Sequence, residues 1–211
     1  APSLITLRVP ITVPEAPETL RGTFAGRPLV FVPDAAGAHR ALVGIDLQHL
    51  PGIYSIRLHW RAAEAEVTRE IPVPVRDGAF PIQRLTLPPR MVDPDPADLP
   101  RIREEQELLE TLFAHADGTP HFAEAFLLPL DPPFQPSGTF GRRRLLNGQL
   151  RSPHTGEDFP APVGTPVLAA NRGRVAYAGE MYFAGRSIVL DHGLGLYTLY
   201  YHLDTVAVDP G

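Results

Sequence analysis

The chain has 211 residues, 44% of them hydrophobic and 20% charged, a composition typical of a globular protein with room for one large domain or two small ones. Its formal net charge of −5 provides no excess of cations to neutralise phosphates, so nothing in the composition favours nucleic-acid binding. The absence of cysteine excludes thiol chemistry and cysteine-ligated metals, and no apolar run approaches the roughly 18 residues of a membrane span.

The first part of the chain is predicted to be a β-sandwich. Apolar and polar residues alternate in "SLITLRVP", "IYSIRLHW" and "EVTREIPVPV", and turn signals such as Pro51-Gly52 and Asp77-Gly78 separate such segments. Short strands at this regular spacing are typical of a sandwich. The pattern is similar to the small immunoglobulin-like modules of bacterial surface proteins, and we assign residues 1–88 to a domain of that kind.

A proline-rich linker and one helix are predicted for residues 89–125. Prolines in "PPRMVDPDPADLP" restrict the backbone and disfavour helix before them. In "DLPRIREEQELLETLFAHADG", Asp98 suits an N-cap and Gly118 a stop. An apolar stripe completes the pattern: Ile102, Leu108, Leu109, Leu112 and Phe113. A packing element or spacer is favoured over a helix that binds a partner.

The remainder, residues 126–211, is predicted to be a second β-rich domain. "TPVLAANRGRVAYAGE" predicts two strands joined by a tight turn, and "RSIVLDHGLGLYTLYYHLDTVAV" predicts two longer strands around a glycine-rich turn. The expected fold class is therefore mainly β with a short helical connector.

The strongest candidate for chemistry is the segment "SPHTGEDF". Pro153 and Gly156 exclude a regular helix, so His154 and Asp158 stand in a loop that can bring them together. An imidazole and a carboxylate are both competent zinc ligands, although this spacing alone is common by chance. Most of the other histidines lack partners at metal-ligand spacing and are expected to be surface or hydrogen-bonded residues: His39, His49, His59, His115 and His121.

A series of motifs in the last 75 or so residues resembles the lysostaphin-type, LytM-like zinc metallopeptidases that cut peptidoglycan. The matching stretches, in order, are "FGRR", "PHTGEDF", "APVGTPVLAA", "GRVAYAG" and "VLDHGLGLYTLYYHL". The resemblance implies a zinc-dependent endopeptidase acting on peptide amides of the cell-wall cross-bridge or stem. Such substrates lie outside the cytoplasm, so an exported mature chain, periplasmic or in the cell envelope, is expected.

The same resemblance assigns roles to single residues. It makes His154 and Asp158 two of three protein ligands to zinc, and it makes His202 a histidine that assists catalysis. Strand alternation would put His202 on one face with Thr198 and Tyr200, and Leu203 on the other. His192, in "LDHG", is expected to be structural.

The resemblance also implies a third ligand and the main base from a downstream His-x-His motif, and these 211 residues contain no such motif. Since two ligands do not make a catalytic zinc site, the 211 residues alone are expected to be inactive. Three explanations remain open: a piece of an active enzyme, which is favoured because His154, Asp158 and His202 are retained; a non-catalytic relative that binds peptidoglycan or activates another hydrolase; and an adhesive envelope protein.

A last hypothesis concerns Asn147, in "LLNGQLRSPH", just before the first ligand. Either this residue folds over the site as an occluding element, or it is an ordinary turn residue. The oligomeric state and the ligand of the first domain are not predicted.

Overall fold

The computed structural model describes residues 4–9, 20–33, 38–62, 65–86, 93–114, 118–122 and 125–211, with the backbone alone for 4–9. The chain forms two compact units, Ala1–Phe80 and Pro81–Gly211. Thirteen strands and one α-helix lie in the described residues. The prediction of a mainly β protein with a short helix is therefore confirmed.

The first unit has two sheets. Its strands are β1 (Leu4–Val9), β2 (Arg21–Phe24), β3 (Arg27–Pro28), β4 (Val32–Pro33), β5 (His39–Gly44), β6 (Gly52–Ala62) and β7 (Ala65–Val75). The sheet orders are β1-β5-β4 and β3-β2-β6-β7, with antiparallel neighbours throughout. The buried core contains residues of both sheets: Phe24, Val43, Ile56, Leu58 and Val73. The immunoglobulin-like assignment stays a prediction.

The second unit contains the helix and two further sheets. Its elements are β8 (Ile82–Leu85), α1 (Leu99–Ala114), β9 (Arg143–Leu146), β10 (Gln149–Leu150), β11 (Arg174–Met181), β12 (Gly185–Asp191) and β13 (Tyr197–Leu203). One sheet has the order β10-β9-β8, in which β8 and β9 are parallel, and the other is the antiparallel sheet β11-β12-β13.

The start of the helix differs from the prediction. A 3₁₀ turn over Pro96–Asp98 precedes α1, and the Asp95 carboxylate accepts from the Ala97 amide at 2.9 Å. Asp95 is therefore the cap, and Asp98 lies inside the turn, because Pro96 supplies a backbone suited to the first turn. The helix is described as far as Ala114, and residues 115–117, ahead of the predicted stop at Gly118, lie outside the described residues.

The helix packs on the antiparallel sheet of its own unit. Ile102 is buried, the Glu105 carboxylate accepts from the Tyr182 amide at 2.8 Å, and the Tyr197 hydroxyl donates to the Leu112 carbonyl at 2.7 Å. Leu108 and Phe113, predicted for the apolar stripe, are about 40% exposed (39% and 42%). These contacts agree with the predicted packing role. α1, the one α-helix in the described residues, lacks the length and apolar character that a bilayer crossing requires.

The two units divide the chain at Phe80, ahead of the predicted boundary at 88. The reason is pairing: β8 runs parallel to β9, which ties residues 82–85 to the second unit. The helix contacts also lie within that unit. The assignment of residues 89–125 to a linker and helix between domains stays a prediction. Residues 89–92, 115–117 and 123–124 of that segment lie outside the described residues.

Candidate metal centre

The segment that leads to His154 is a tight hairpin. β9 and β10 are joined by Asn147 and Gly148, both with positive φ (49° and 82°), as a two-residue Asn-Gly hairpin turn requires. The Asn147 amide donates to the Leu85 carbonyl at 3.0 Å. The four residues of β9 lie between this turn and Arg142, whose carbonyl accepts from the His154 amide. The five steps of strand from Asn147 to Arg142 span about 17 Å. This position favours an ordinary turn residue over an occluding element at Asn147.

Residues 137–142 hold both ends of the "HTGED" loop by backbone hydrogen bonds. The His154 amide donates to the Arg142 carbonyl at 2.9 Å, and the Gly141 amide donates to the His154 carbonyl at 2.8 Å. At the other end, the Ser137 amide donates to the Asp158 carbonyl at 2.9 Å. Because one short segment fixes both ends, the loop brings His154 and Asp158 together, as the sequence predicts.

The two side chains meet through atoms that both accept hydrogen bonds. His154 Nδ1 lies 3.2 Å from the Thr139 carbonyl oxygen, which can only accept, so the ring proton belongs on Nδ1. The lone pair of Nε2 then faces Asp158 Oδ1 at 3.3 Å. An imidazole lone pair and a carboxylate oxygen attract each other only with a proton or a metal cation between them. A carbonyl that fixes the tautomer of a ligating histidine is a usual outer partner of a zinc ligand.

Thr139 supports both proposed ligands. Besides its carbonyl contact to His154, its hydroxyl donates to Asp158 Oδ2 at 3.1 Å, which leaves Oδ1 for His154. The His154 side chain is 14% exposed and that of Asp158 is 58% exposed. Of the two proposed ligands, His154 is therefore mostly buried and Asp158 is open to solvent.

Glu157, between the two, binds the protein instead of the site. Its carboxylate accepts from the amides of Thr139 at 2.9 Å and Phe140 at 3.3 Å, and from the Ser137 hydroxyl at 3.2 Å. Burial acts to raise the pKa of Glu157, but these hydrogen bonds outweigh it and lower the pKa below the ordinary value. Glu157 is therefore a charged anchor that fixes Thr139.

His154 and Asp158 can fill two of the coordination positions of a zinc ion and no more. An imidazole nitrogen and a carboxylate oxygen are suitable donors, correctly oriented for one cation. Within the described parts of the chain, however, no group of three or more histidine, aspartate or glutamate side chains is arranged to hold a metal. Within those parts, His202 does not join His154 and Asp158 in such a group.

His202 lies at an irregularity near the end of β13. Tyr200 is opposite Ile188 and Leu203 is opposite Arg186, so β13 has one more residue than β12 over this stretch. Such a bulge moves Leu203 to the face of Tyr200, and the predicted strict alternation through His202 is wrong. His202 has φ 57°, its amide donates to the Ala184 carbonyl at 2.8 Å, and its side chain is exposed.

His192 is fully buried and hydrogen-bonded at both nitrogens. Nδ1 lies 2.5 Å from the Arg172 carbonyl oxygen, and Nε2 lies 2.8 Å from the Thr198 hydroxyl. That hydroxyl also contacts the Tyr200 hydroxyl at 3.1 Å, and the Tyr200 oxygen accepts from the Ala170 amide at 2.7 Å. These contacts agree with the structural role expected for His192.

Thr139 and Glu157 are the residues of the site that sequence reasoning missed. Glu157 stands within the motif, but its position between two ligands gives no sign that it points away from them. Thr139 is 15 residues before His154 and contacts it only through the folded chain. The one available signal was the position of Thr139 directly before the "FGRR" motif.

Residues 152–211 match Peptidase family M23. Over 84 residues the chain is 37% identical to the peptidoglycan DD-endopeptidase ShyA of Vibrio cholerae, covering 39% of this chain and 20% of that protein. Over 58 residues it is 38% identical to the DD-carboxypeptidase/endopeptidase Mpg of Neisseria meningitidis, covering 28% of this chain and 14% of that protein. The chain thus spans about a fifth or less of these relatives.

A solved structure shows a similar fold. The chain aligns over its whole length with 76% of a Pseudomonas aeruginosa protein whose crystal structure is described as that of a candidate M23 peptidase, with a TM-score of 0.68 and 24% identity. That likeness supports the fold alone. The predicted resemblance to LytM-like peptidases is confirmed by the match of residues 152–211 to Peptidase family M23.

Proposed function

We propose that the second unit is the ligand-bearing part of a zinc-dependent endopeptidase that cleaves peptide amides of peptidoglycan. The observation that carries the proposal is the approach of His154 Nε2 to Asp158 Oδ1 at 3.3 Å, with the tautomer set by Thr139. The match to Peptidase family M23 and the similarity to proteins named peptidoglycan DD-endopeptidases support the reaction and the substrate.

His154 and Asp158 would hold the ion, which when bound polarises the scissile carbonyl and makes water a better nucleophile. Thr139 keeps the proton of His154 on Nδ1 and restrains Asp158 through its hydroxyl. Because the resemblance implies a third ligand from a His-x-His motif that these residues lack, we expect the 211 residues alone to bind the ion weakly and not to hydrolyse peptide.

His202 is proposed to assist catalysis. Its exposed imidazole can polarise the attacking water and stabilise the oxyanion that develops, while the main base would come from the His-x-His motif that the resemblance implies. The bulge and the bond from its amide to Ala184 fix the backbone that presents the ring. Gly185 has space beside this ring, since a Cβ there would come no nearer than 3.7 Å to His202 Nδ1.

The proposed substrate places the protein in the cell envelope, exported or periplasmic, with peptidoglycan peptides as its partners. The relatives named as peptidoglycan peptidases support this location. The first unit is proposed to position or shield the peptidase unit.

The test is zinc binding by the full 211-residue chain, measured by calorimetric titration. We expect His154→Ala and Asp158→Asn each to lower the affinity at least tenfold, because each removes one of two direct ligands. His59→Ala is the matched control: His59 lies on β6 in the first unit, bonds to Thr68 and should leave zinc binding unchanged. Equal zinc affinity in wild type and His154→Ala would overturn the metal site.

Peptidase activity requires a second measurement. The chain is to be combined with a segment that carries a His-x-His motif, and release of peptides from purified peptidoglycan is followed by chromatography. We expect hydrolysis that is lost in His154→Ala and at least a hundredfold slower in His202→Asn. Binding of peptidoglycan without hydrolysis in the combined protein would favour the non-catalytic alternative.

A further inference from the structure

Three arginines lie on one face of the β8–β9–β10 sheet, next to the proposed metal ligands. Arg142 and Arg144 are two residues apart along one edge of the hairpin and so share a face. The pairing of Leu145 with Leu150 continues to Arg144 and Arg151, whose backbones are joined by the Arg151 amide donating to the Arg144 carbonyl at 2.9 Å. Two cations therefore face each other directly across the hairpin.

This arrangement is costly without an anion. Like charges directly opposite one another destabilise a sheet, and buried cations are normally paired. Yet the Nε atoms of all three arginines are buried and have no hydrogen-bond partner in the described part of the chain. Of the three, only Arg151 has an ion pair among the described residues, with Asp93 at 2.7 Å.

The opposite face of the same strand shows the contrast. Arg143 points away from the three arginines, since neighbouring residues of a strand alternate, and it is exposed to solvent. The three arginines are half-buried. A charge on the exposed face is solvated by water, whereas the half-buried face requires an anionic partner.

The position of this face connects it with the site. Arg142 accepts the His154 amide through its carbonyl at 2.9 Å, so the arginine face ends at the residue that would bind the ion. We propose that Arg142, Arg144 and Arg151 form a carboxylate-binding face that receives an anionic group of the peptide substrate beside the scissile bond. This inference rests on the proposed peptidase function and specifies its substrate as a peptide with a free carboxylate.

A guanidinium binds a carboxylate through two parallel N–H donors. The Nε atoms of the three arginines are buried, so their terminal nitrogens would make this contact. The carboxylate can be the free C-terminus of the peptide or an acidic side chain. Both present the same planar, singly charged group to the arginines. The two sources differ in the position of the carboxylate relative to the peptide chain, and they can be separated with small probes.

The experiment measures binding of four probes to the 211-residue chain in excess chelator by NMR titration. N-acetyl-D-alanyl-D-alanine carries a terminal carboxylate, and N-acetyl-D-glutamic acid α-amide carries a side-chain carboxylate; each is compared with its neutral amide. We expect one acid to bind about tenfold tighter than its amide, as for a charge-assisted bidentate contact. That acid identifies the source. An equal affinity for acid and amide in both pairs would overturn the proposal.

Arg144→Gln is expected to abolish the preference for the acid, and Arg144→Lys to retain part of it, because lysine keeps the charge but not the fork. Arg143→Gln removes the same charge from the opposite face of the strand and should keep the full preference. Equal losses in Arg144→Gln and Arg143→Gln would show a general charge effect and refute the site. Arg142→Gln gives a second measurement if Arg144→Gln does not fold, which its thermal transition reports.

The chelator separates this test from that of the proposed function. Suppose that the preference for the acid probe is lost in Arg144→Gln, and that zinc affinity is the same in wild type and His154→Ala. This pair of results would support the arginine site and refute the metal centre. The reverse pair of results would keep the metal centre and refute the arginine site.

Discussion

His154 and His192 have the same kind of partner at Nδ1 and different partners at Nε2. In both, Nδ1 faces a backbone carbonyl, that of Thr139 for His154 and that of Arg172 for His192, so the lone pair is on Nε2. At His192 the lone pair faces the Thr198 hydroxyl, which can donate to it. At His154 it faces the Asp158 carboxylate, which cannot. The partner of Nε2, more than burial, separates a histidine that is satisfied by the protein from one that requires a cation.

The largest expected effect is a difference in the free energy of unfolding between the alanine variants of the two histidines. His192→Ala should lower the free energy of unfolding by about 3 kcal/mol, because it empties a buried position and leaves polar partners unsatisfied. His154→Ala should cost about 1 kcal/mol, since it removes one hydrogen bond from a loop. Urea unfolding of both variants measures the difference. Similar losses in the two would contradict the comparison.

A glycine beside His192 provides a steric test. A Cβ on Gly173 would lie 2.8 Å from the Asp191 carbonyl oxygen and 2.9 Å from His192 Nδ1, so Gly173→Ala should destabilise the chain by about 2 kcal/mol. Zinc affinity should not change, because His154 and Asp158 are not touched. Gly44→Ala, where a Cβ would meet nothing within 4 Å, is the control in the same unfolding measurement. A drop in zinc affinity in Gly173→Ala would mean that the two histidines are coupled.

The smallest effect on stability is expected at Glu157, which anchors the loop of His154. Glu157→Gln weakens the hydrogen bonds to Thr139 and Phe140, and it should cost about 1 kcal/mol of stability. Zinc affinity should fall by roughly tenfold, as for loss of an outer partner of a ligand. Glu104→Gln, an exposed carboxylate on α1, should change neither quantity. Unchanged zinc affinity in Glu157→Gln would show that Thr139 holds its place without the anchor.

The sequence predicts the parts of this protein that depend on local pattern. Strands β6, β7, β12 and β13 follow from alternation and turn residues, and the approach of His154 to Asp158 follows from a loop too short to separate them. The strand expected from Thr165 to Ala170 does not form as one. Instead, isolated backbone hydrogen bonds join this stretch to residues 127–129. In one of them, the Leu168 amide donates to the Pro129 carbonyl at 2.8 Å.

The features that sequence reasoning could not reach depend on register or on distant contacts. One extra residue in β13 moves Leu203 to the other face, and no single-sequence pattern marks where a bulge will fall. The partners of His154 and Glu157 come from residues 137–142, and the opposition of Arg144 and Arg151 is fixed only once the Asn-Gly turn sets the register. Each depends on which backbone positions come to lie side by side.

The backbone at His202 has a practical consequence. Its left-handed conformation, φ 57°, is one that asparagine accepts readily and β-branched residues do not. An asparagine there would remove the imidazole while leaving the bulge and its bond to Ala184 in place. The fold thus provides a position at which the proposed catalytic imidazole can be removed while the backbone is kept, which makes His202→Asn a suitable variant for capturing intact substrate in a crystal.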